Sequence, residues 1–397
     1  MYIWQQANWG RFTLNLAQFQ PKITAARLAQ GRLLGFAAGL GLADTETLAL
    51  HGWVQEALAT AGIEGEQLPL HSVRASAARR LGLNIDLNSG INNGINDARA
   101  EATLDVLQAA QQHSSTRIMD HKTLWAWQAA LFPTGRSAGV HIQVGAYRNH
   151  PEPMQIVTPV FTPILGKNDI IHYQAPPSSQ VMAEMERFLA WLNDTNKAPE
   201  LADRLVQAAV AHLWFEAIHP FEDGNGRIGR AISEWVIAQD GHSPLRLMSV
   251  SQQLLIKRKA YYAGLQSMVK PVHWDNQGEA AIDLTDWANW FLSCIAGACD
   301  ASFDHMQGAA HKTRFWQAVM LKLPELSPAQ RKVLNTVFDA QPDGFKGGLS
   351  TQLYAKIAKL SRATAYRDLT LLCDAGVLLR TGTGRGTRYR LHESSLK

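Results

Sequence analysis

Two helical patterns meet at one short bend between residues 201 and 240, and that bend constrains the chain more than any other feature. In 201–218, Leu205, Ala208, Ala209, His212, Leu213 and Phe215 fall close to one broad face. The pattern stops at Ile218, His219 and Pro220 open a loop, and a new helix begins near Asn225 or Gly226. Gly224-Asn225-Gly226 just before a helix lets backbone N–H groups turn toward one point, because glycine allows close approach and unusual dihedrals. The helix N-terminus adds partial positive charge, so the bend is an anion cradle. Arg227 and Arg230 lie on one side of the new helix and can clamp a polyphosphate. Asp223 is a hard oxygen ligand suited to a Mg²⁺ ion that bridges phosphates. His219 is placed to take a proton from an incoming hydroxyl. Each piece alone is ordinary: a His before Pro ends a helix, Gly-Asn-Gly turns a chain, and two arginines dress a solvated face. Together, from His219 to Arg230, they assemble a phosphoryl- or nucleotidyl-transfer site. Phe221 is expected to be the buried anchor of the loop.

The rest of the 397-residue chain reads mostly as helix, long enough for two or three domains. Apolar residues recur at three- and four-residue spacing in 22–40, 45–61, 70–81, 97–112, 121–131, 178–194, 251–268 and 283–300. The tryptophans mostly sit inside such patterns and are expected to pack. Residues 84–97 are rich in Asn and Gly and read as a loop, as do the connections 271–280 and 341–348. Residues 140–175 break the helical pattern with β-branched residues and prolines, which suggests a β-hairpin or extended flap with proline confined to sheet edges. No stretch supplies the roughly 20 apolar residues of a membrane span. The opening MYIWQQANWGRF has no basic stretch followed by an apolar run. Cys294, Cys299 and Cys373 have neither disulfide-framework nor zinc spacing, so a reducing, cytoplasmic setting is expected.

The segment His219-Pro220-Phe221-Glu222-Asp223-Gly224-Asn225-Gly226-Arg227-Ile228-Gly229-Arg230 resembles the Fic motif at every specified position. The resemblance implies a mainly α fold: a Fic-type helical bundle with a small β-hairpin flap. It implies a protein adenylyltransferase that moves AMP from ATP to a Tyr, Ser or Thr hydroxyl of a protein target, possibly including the enzyme itself, and releases pyrophosphate. His219 would be the base and Asp223 would hold Mg²⁺. The backbone from Gly224 through Asn225 to Gly226 would form the anion hole, with Ile228 and Gly229 in the ATP-binding run. Arg227 and Arg230 would bind the phosphate chain, Arg230 nearest the γ-phosphate. The 154–173 segment corresponds to the family's flap, where strand addition would hold a target. Tyr261 and Tyr262 resemble residues that border the nucleotide base, although a packing pair on a helix fits them equally. No GxxxxGK[ST] is present. Thr60 to Gly65 resembles the family's inhibitory [S/T]xxxE[G/N] motif, with Glu64 as the carboxylate that would reach Arg230. The N-terminal region, roughly 1–85, also resembles the one that accompanies this subclass. Homodimerisation is a family-level expectation. The same residues leave a second reaction open, removal of AMP with Glu64 orienting a water.

The terminal segment differs in charge. Residues 344–397 hold ten Lys/Arg against three Asp/Glu, while the chain as a whole carries +4. A basic terminus suggests nucleic acid as a partner, although a solvated surface would carry the same charge. Ser327 caps a helix with Pro328 at its first position. Helices at 350–358 and 361–372, a turn and two short strands follow, which looks like a winged helix-turn-helix. In that fold Arg362, Thr364, Tyr366 and Arg367 would face a DNA major groove, with Arg385 and Arg388 on the wing. The expected domains are 1–95 with the inhibitory motif, 96–310 with the catalytic core, and 320–397. A DNA-binding regulator whose Fic domain only senses nucleotide is the alternative function.

Overall fold

The computed structural model describes residues 2–40, 42–83, 97–114, 118–162, 166–240, 247–269, 281–340, 345 and 348–392, with backbone alone at 42–45, 157–162, 166–170 and 385. The expected connection 271–280 lies outside these residues, as does the 84–97 loop apart from Asp97. The chain is mainly helical and divides into two compact units, Met1–Phe303 and Asp304–Lys397.

The first unit opens with β1 (Phe12–Thr13) and the helices α1 (Leu16–Ala38), α2 (Leu42–Ile63) and α3 (Leu70–Arg80). α1 starts earlier than the sequence spacing suggests and takes Pro21 inside it. Burying Phe19 on its first turns offsets the backbone bond that proline removes. Next come α4 (Ala98–His113) and α5 (His121–Leu131), capped by the carboxylates of Asp97 and Asp120. Leu50, Trp53, Val54 and Ala57 of α2 share an apolar core with Val73 of α3 and Leu104 of α4.

A short antiparallel pair, β2 (Arg136–Ser137) and β3 (Val140–His141), precedes a longer one, β4 (Gln155–Thr162) and β5 (Gly166–Gln174). Pro159 faces Asp169 in that register. A two-stranded pair has only edges, so proline's missing N–H is tolerated there.

Helices α6 (Ser178–Asn193), α7 (Arg204–Ile218) and α8 (Asn225–Ala238) follow, and α7 is buried on nearly every side, as a central helix must be. Trp214 on α7 meets Trp9, Phe12, Phe188 and Trp191 edge-on or tilted, with centroids 4.8–5.8 Å apart. The expected single helix over 251–268 is two, α9 (Val250–Ile256) and α10 (Arg258–Val269). The break at Lys257 re-aims α10, so that Tyr261 turns into the core against His212. β6 (Ile282–Asp283) pairs in parallel with β1 and leads into α11 (Thr285–Lys322), which runs past the expected end at residue 300.

In the second unit, α12 (Pro328–Asp339) begins with a capping box between Ser327 and Gln330. α13 (Thr351–Ala358) and α14 (Arg362–Asp374) follow, then the antiparallel pair β7 (Leu378–Thr381) and β8 (Arg388–Leu391). Val333, Leu334, Tyr354, Leu369, Leu372 and Tyr389 build its core. Asp368 accepts bonds from Gln330 (2.9 Å) and the Tyr354 hydroxyl (3.0 Å), which ties the three helices together.

Candidate functional site

The bend between α7 and α8 is held by two residues in the left-handed region. His219 closes α7 at φ 50° and Gly224 opens α8 at φ 88°. Asn225 braces the loop between them. Its side-chain oxygen accepts the Phe221 N–H at 2.9 Å, and its amide donates to the Phe221 carbonyl at 2.8 Å. Phe221 is wholly buried beside Tyr147, as an anchor should be. The first backbone bond of α8 runs from Ile228 N–H to Gly224 O at 2.9 Å. The amides of Asn225, Gly226 and Arg227 therefore have no helical partner and make the cradle. Two expected members of the ATP-binding run face elsewhere. Ile228 is fully buried with its amide committed, and Gly229 packs toward α7, where a Cβ would lie 2.7 Å from the Glu216 carboxyl.

Asp223 sits on the solvent side of the bend. One of its oxygens accepts the Gly224 N–H at 2.6 Å and the other accepts the Ser137 hydroxyl. Among the described residues no group of three His, Cys, Asp or Glu side chains gathers for a metal.

Both arginines are engaged by the end of α2 and the turn that follows it. Arg230 is 3% exposed; its Nε donates to Thr60 Oγ1 at 2.7 Å and its Nη2 to Glu64 Oε1 at 2.6 Å. Arg227 lies 3.2 Å from Glu66 Oε1 and stacks over Phe132 at 5.0 Å. Gly226 makes this possible, because a Cβ there would collide with the Glu64 carboxylate. Burial works against the charge of Glu64, but the Arg230 guanidinium outweighs it and holds the carboxyl below its ordinary range. Arg230 is likewise raised by Glu64 against the penalty of burial.

Glu64, His219, Gly226 and Arg230 line a cavity of about 720 Å³, within the range of small-molecule sites, whereas Arg227 and Glu66 line a separate pocket of about 210 Å³ with Phe132 and Ser137. Burial pulls the His219 imidazole down to about 4, so the ring is a free base at neutral pH. Glu216, one turn earlier, is pushed up to about 8 by burial; its carboxyl oxygen stands 3.9 Å from His219 Nδ1. Tyr261 is buried with its hydroxyl 2.8 Å from His212 Nε2 and lines the same cavity. Tyr262 is 43% exposed at the rim and donates to the Ile63 carbonyl at 3.1 Å.

Three residues of this site escaped the sequence. Glu66 and Glu216 lie outside the twelve-residue segment, and nothing local marks them as paired with Arg227 or His219. Arg148 is 71 residues from His219 yet donates to its carbonyl at 2.8 Å. In the second unit, Arg362, Tyr366 and Arg367 are exposed on α14 and Thr364 is half-buried. Arg388 is half-buried with its stem packed over Gly348, and the side chain of Arg385 lies outside the described residues.

Residues 118–237 match the model of the Fic/DOC family, and residues 2–83 match a domain of unknown function (DUF4172). The chain is similar to the protein adenylyltransferase fic-1 of Caenorhabditis briggsae, 29% identical over 153 residues, which is 38% of this chain and 25% of that protein. It is also similar to the uridine 5'-monophosphate transferase of Xanthomonas campestris, 32% identical over 72 residues, which is 17% of this chain and 13% of that protein. The matched stretches thus span a quarter or less of these relatives' length. A Fic domain containing signaling protein from Bacteroides thetaiotaomicron shares the fold at a TM-score of 0.50 and 16% identity, over 72% of this chain and 97% of that one. Residues 118–237, with their His219–Arg230 bend, are a Fic/DOC-family domain, homologous to the Fic protein adenylyltransferases.

Proposed function

We propose that the protein is an autoinhibited protein adenylyltransferase that moves AMP from ATP to a hydroxyl of a protein target. The observation that carries this reading is convergence. His219 with its free imidazole, Gly226 of the helix-end amide cradle and the Arg230 guanidinium line one cavity, and the Glu64 carboxylate in the same cavity occupies that guanidinium. His219 takes the proton of the target hydroxyl, the oxygen bonds to the α-phosphorus, and the bond from that phosphorus to the bridging oxygen breaks. The amides of 225–227 with Arg227 and Arg230 receive the charge that builds on the phosphate oxygens. A single carboxylate beside a phosphate cradle suits Mg²⁺, which takes one or two carboxylates plus phosphate oxygens. Asp223 would hold it, and the ion would neutralise phosphate charge when bound. Glu64, bonded to Arg230, blocks the γ-phosphate position. The exposed Ile156 and Ile171 on β4 and β5 fit a flap that takes an extended target as an added strand. Feeding the protein labelled ATP in a lysate tests the reading. AMP label on a protein, stronger when Glu64 is replaced, supports it, and label from UTP in preference to ATP would overturn the choice of nucleotide.

The pH dependence of transfer is a second test. A base drawn from 6.5 to about 4 stays unprotonated far below its ordinary value. The rate should hold through pH 6.5 and fall only as the pH nears about 4, with circular dichroism confirming that the fold persists. A midpoint at or above 6.5 would contradict the lowering of the His219 imidazole by burial.

A second reading concerns the C-terminal unit alone. Three helices and a two-stranded hairpin, with Arg362, Tyr366 and Arg367 exposed on α14, fit a winged helix-turn-helix that binds DNA. Replacing Arg362 and Arg367 with Ala should weaken retention on duplex DNA and lower the salt dependence by roughly one unit of slope per lost phosphate contact. Equal retention of wild type and variant would remove the recognition-helix assignment.

A further inference from the structure

We infer that Arg148 is a positioning residue for the reaction: its guanidinium, bound to the carbonyls of the catalytic turn, fixes the backbone from which His219 presents its imidazole. The inference rests on His219 acting as the base.

Arg148 is 2% exposed, and no carboxylate stands within ion-pair distance of it among the described residues. A buried cation without a counter-ion costs several kcal/mol, on the order of the effective penalty per buried ion. It persists only where other oxygens take the place of the anion. Here every partner is a main-chain carbonyl. Arg148 Nε donates to His219 O at 2.8 Å, and Nη2 donates to Pro176 O at 2.6 Å and Ile218 O at 3.4 Å. The amide N–H of Arg148 donates to Pro220 O at 2.9 Å. The carbonyls of three consecutive residues, Ile218, His219 and Pro220, thus all end on this one residue.

The placement answers two physical needs of the turn. The last carbonyls of α7 have no helical donor and mark the negative end of its dipole. His219 is held at φ 50°, where a side chain costs roughly 1–2 kcal/mol. Bonds to the flanking carbonyls fix that conformation, and the Arg148 charge also helps keep the nearby imidazole unprotonated. Pro176 lies just beyond β5, so the same guanidinium joins the exit of the β4–β5 pair to the catalytic turn.

The phosphate cradle is braced separately, by Asn225 on both backbone groups of Phe221. Loss of Arg148 should therefore disturb proton transfer and spare nucleotide binding. The test uses the full chain carrying Glu64→Gly, alone and with Arg148→Lys or Arg148→Met. Lysine keeps the charge and can reach one carbonyl, whereas methionine keeps only the bulk. The expected result is a kcat for AMP transfer lowered about 10²-fold by Met, the scale of a misplaced reacting group, and less by Lys, with KM for ATP nearly unchanged. The ring cross-peaks of His219 should move in NMR spectra of Arg148→Lys while the Gly226 amide stays in place. Unchanged kcat would overturn the inference. So would a fall in kcat matched by an equal rise in KM, or His219 peaks that do not move. If Arg148→Met fails to fold, the Lys variant decides by the same measures. If the Glu64→Gly parent transfers no AMP, the function proposed above fails, and the NMR comparison still tests the positioning.

Discussion

Replacing His219 with Ala, in a chain freed of inhibition by Glu64→Gly, should lower the initial rate of AMP transfer about 10²- to 10⁴-fold. Two losses combine in that range, the proton acceptor and the group that orients the attacking oxygen. Binding of ATP should be largely kept, because the ring lies outside the amide cradle of 225–227 and outside the Arg227–Arg230 pair. Labelled-ATP incorporation measures the first quantity and titration of a fluorescent ATP analogue the second. A variant that transfers AMP at the parent rate would move the base elsewhere.

Glu64→Gly should raise the initial rate of transfer roughly 10- to 100-fold, the factor that corresponds to freeing one charge-assisted hydrogen bond at Arg230 for a phosphate oxygen. The substitution is clean in structural terms. Glu64 lies just past the end of α2, so glycine there weakens no helix interior, and the residue is one-third exposed, so no cavity is opened. Equal rates for parent and variant would mean that the carboxylate does not compete with the nucleotide.

The site was legible in the sequence to the extent that its parts are contiguous. A helix, a His-Pro stop, a Gly-Asn-Gly restart and two arginines one turn apart are all local, and each follows from backbone chemistry that a linear pattern records. Contact across the chain was not legible. Arg148 reaches the catalytic turn only once the strands β4 and β5 have folded back, and Glu66 meets Arg227 only because the turn after α2 packs on α8. The break at Lys257 also hid, because the apolar spacing of 251–268 runs through it unchanged, and only the packing of Tyr261 on His212 reveals it. Ile228 and Gly229 show how orientation, too, escapes a linear pattern. Their place inside the motif suggested contact with phosphate, but helical geometry turns every residue about 100° from the last. Those two face inward.

The helix that delivers Glu64 is itself fastened to the catalytic body. Glu56, wholly buried on α2, accepts the Ser249 hydroxyl at 2.7 Å, together with the hydroxyl and the amide of Ser251. Tyr262 holds the last carbonyl of the same helix. Peeling α2 away would also strip Leu50, Trp53 and Val54 from their core, at about 1.5–3 kcal/mol for each large side chain. If Glu64 restrains Arg230 as proposed, its release would therefore be a side-chain event, because the helix end that carries it stays anchored. Past Gly65, at φ 83°, the chain can turn without disturbing α2, so Glu66 can leave Arg227 independently. Both changes would lie on the fast time scale of side-chain and loop motion.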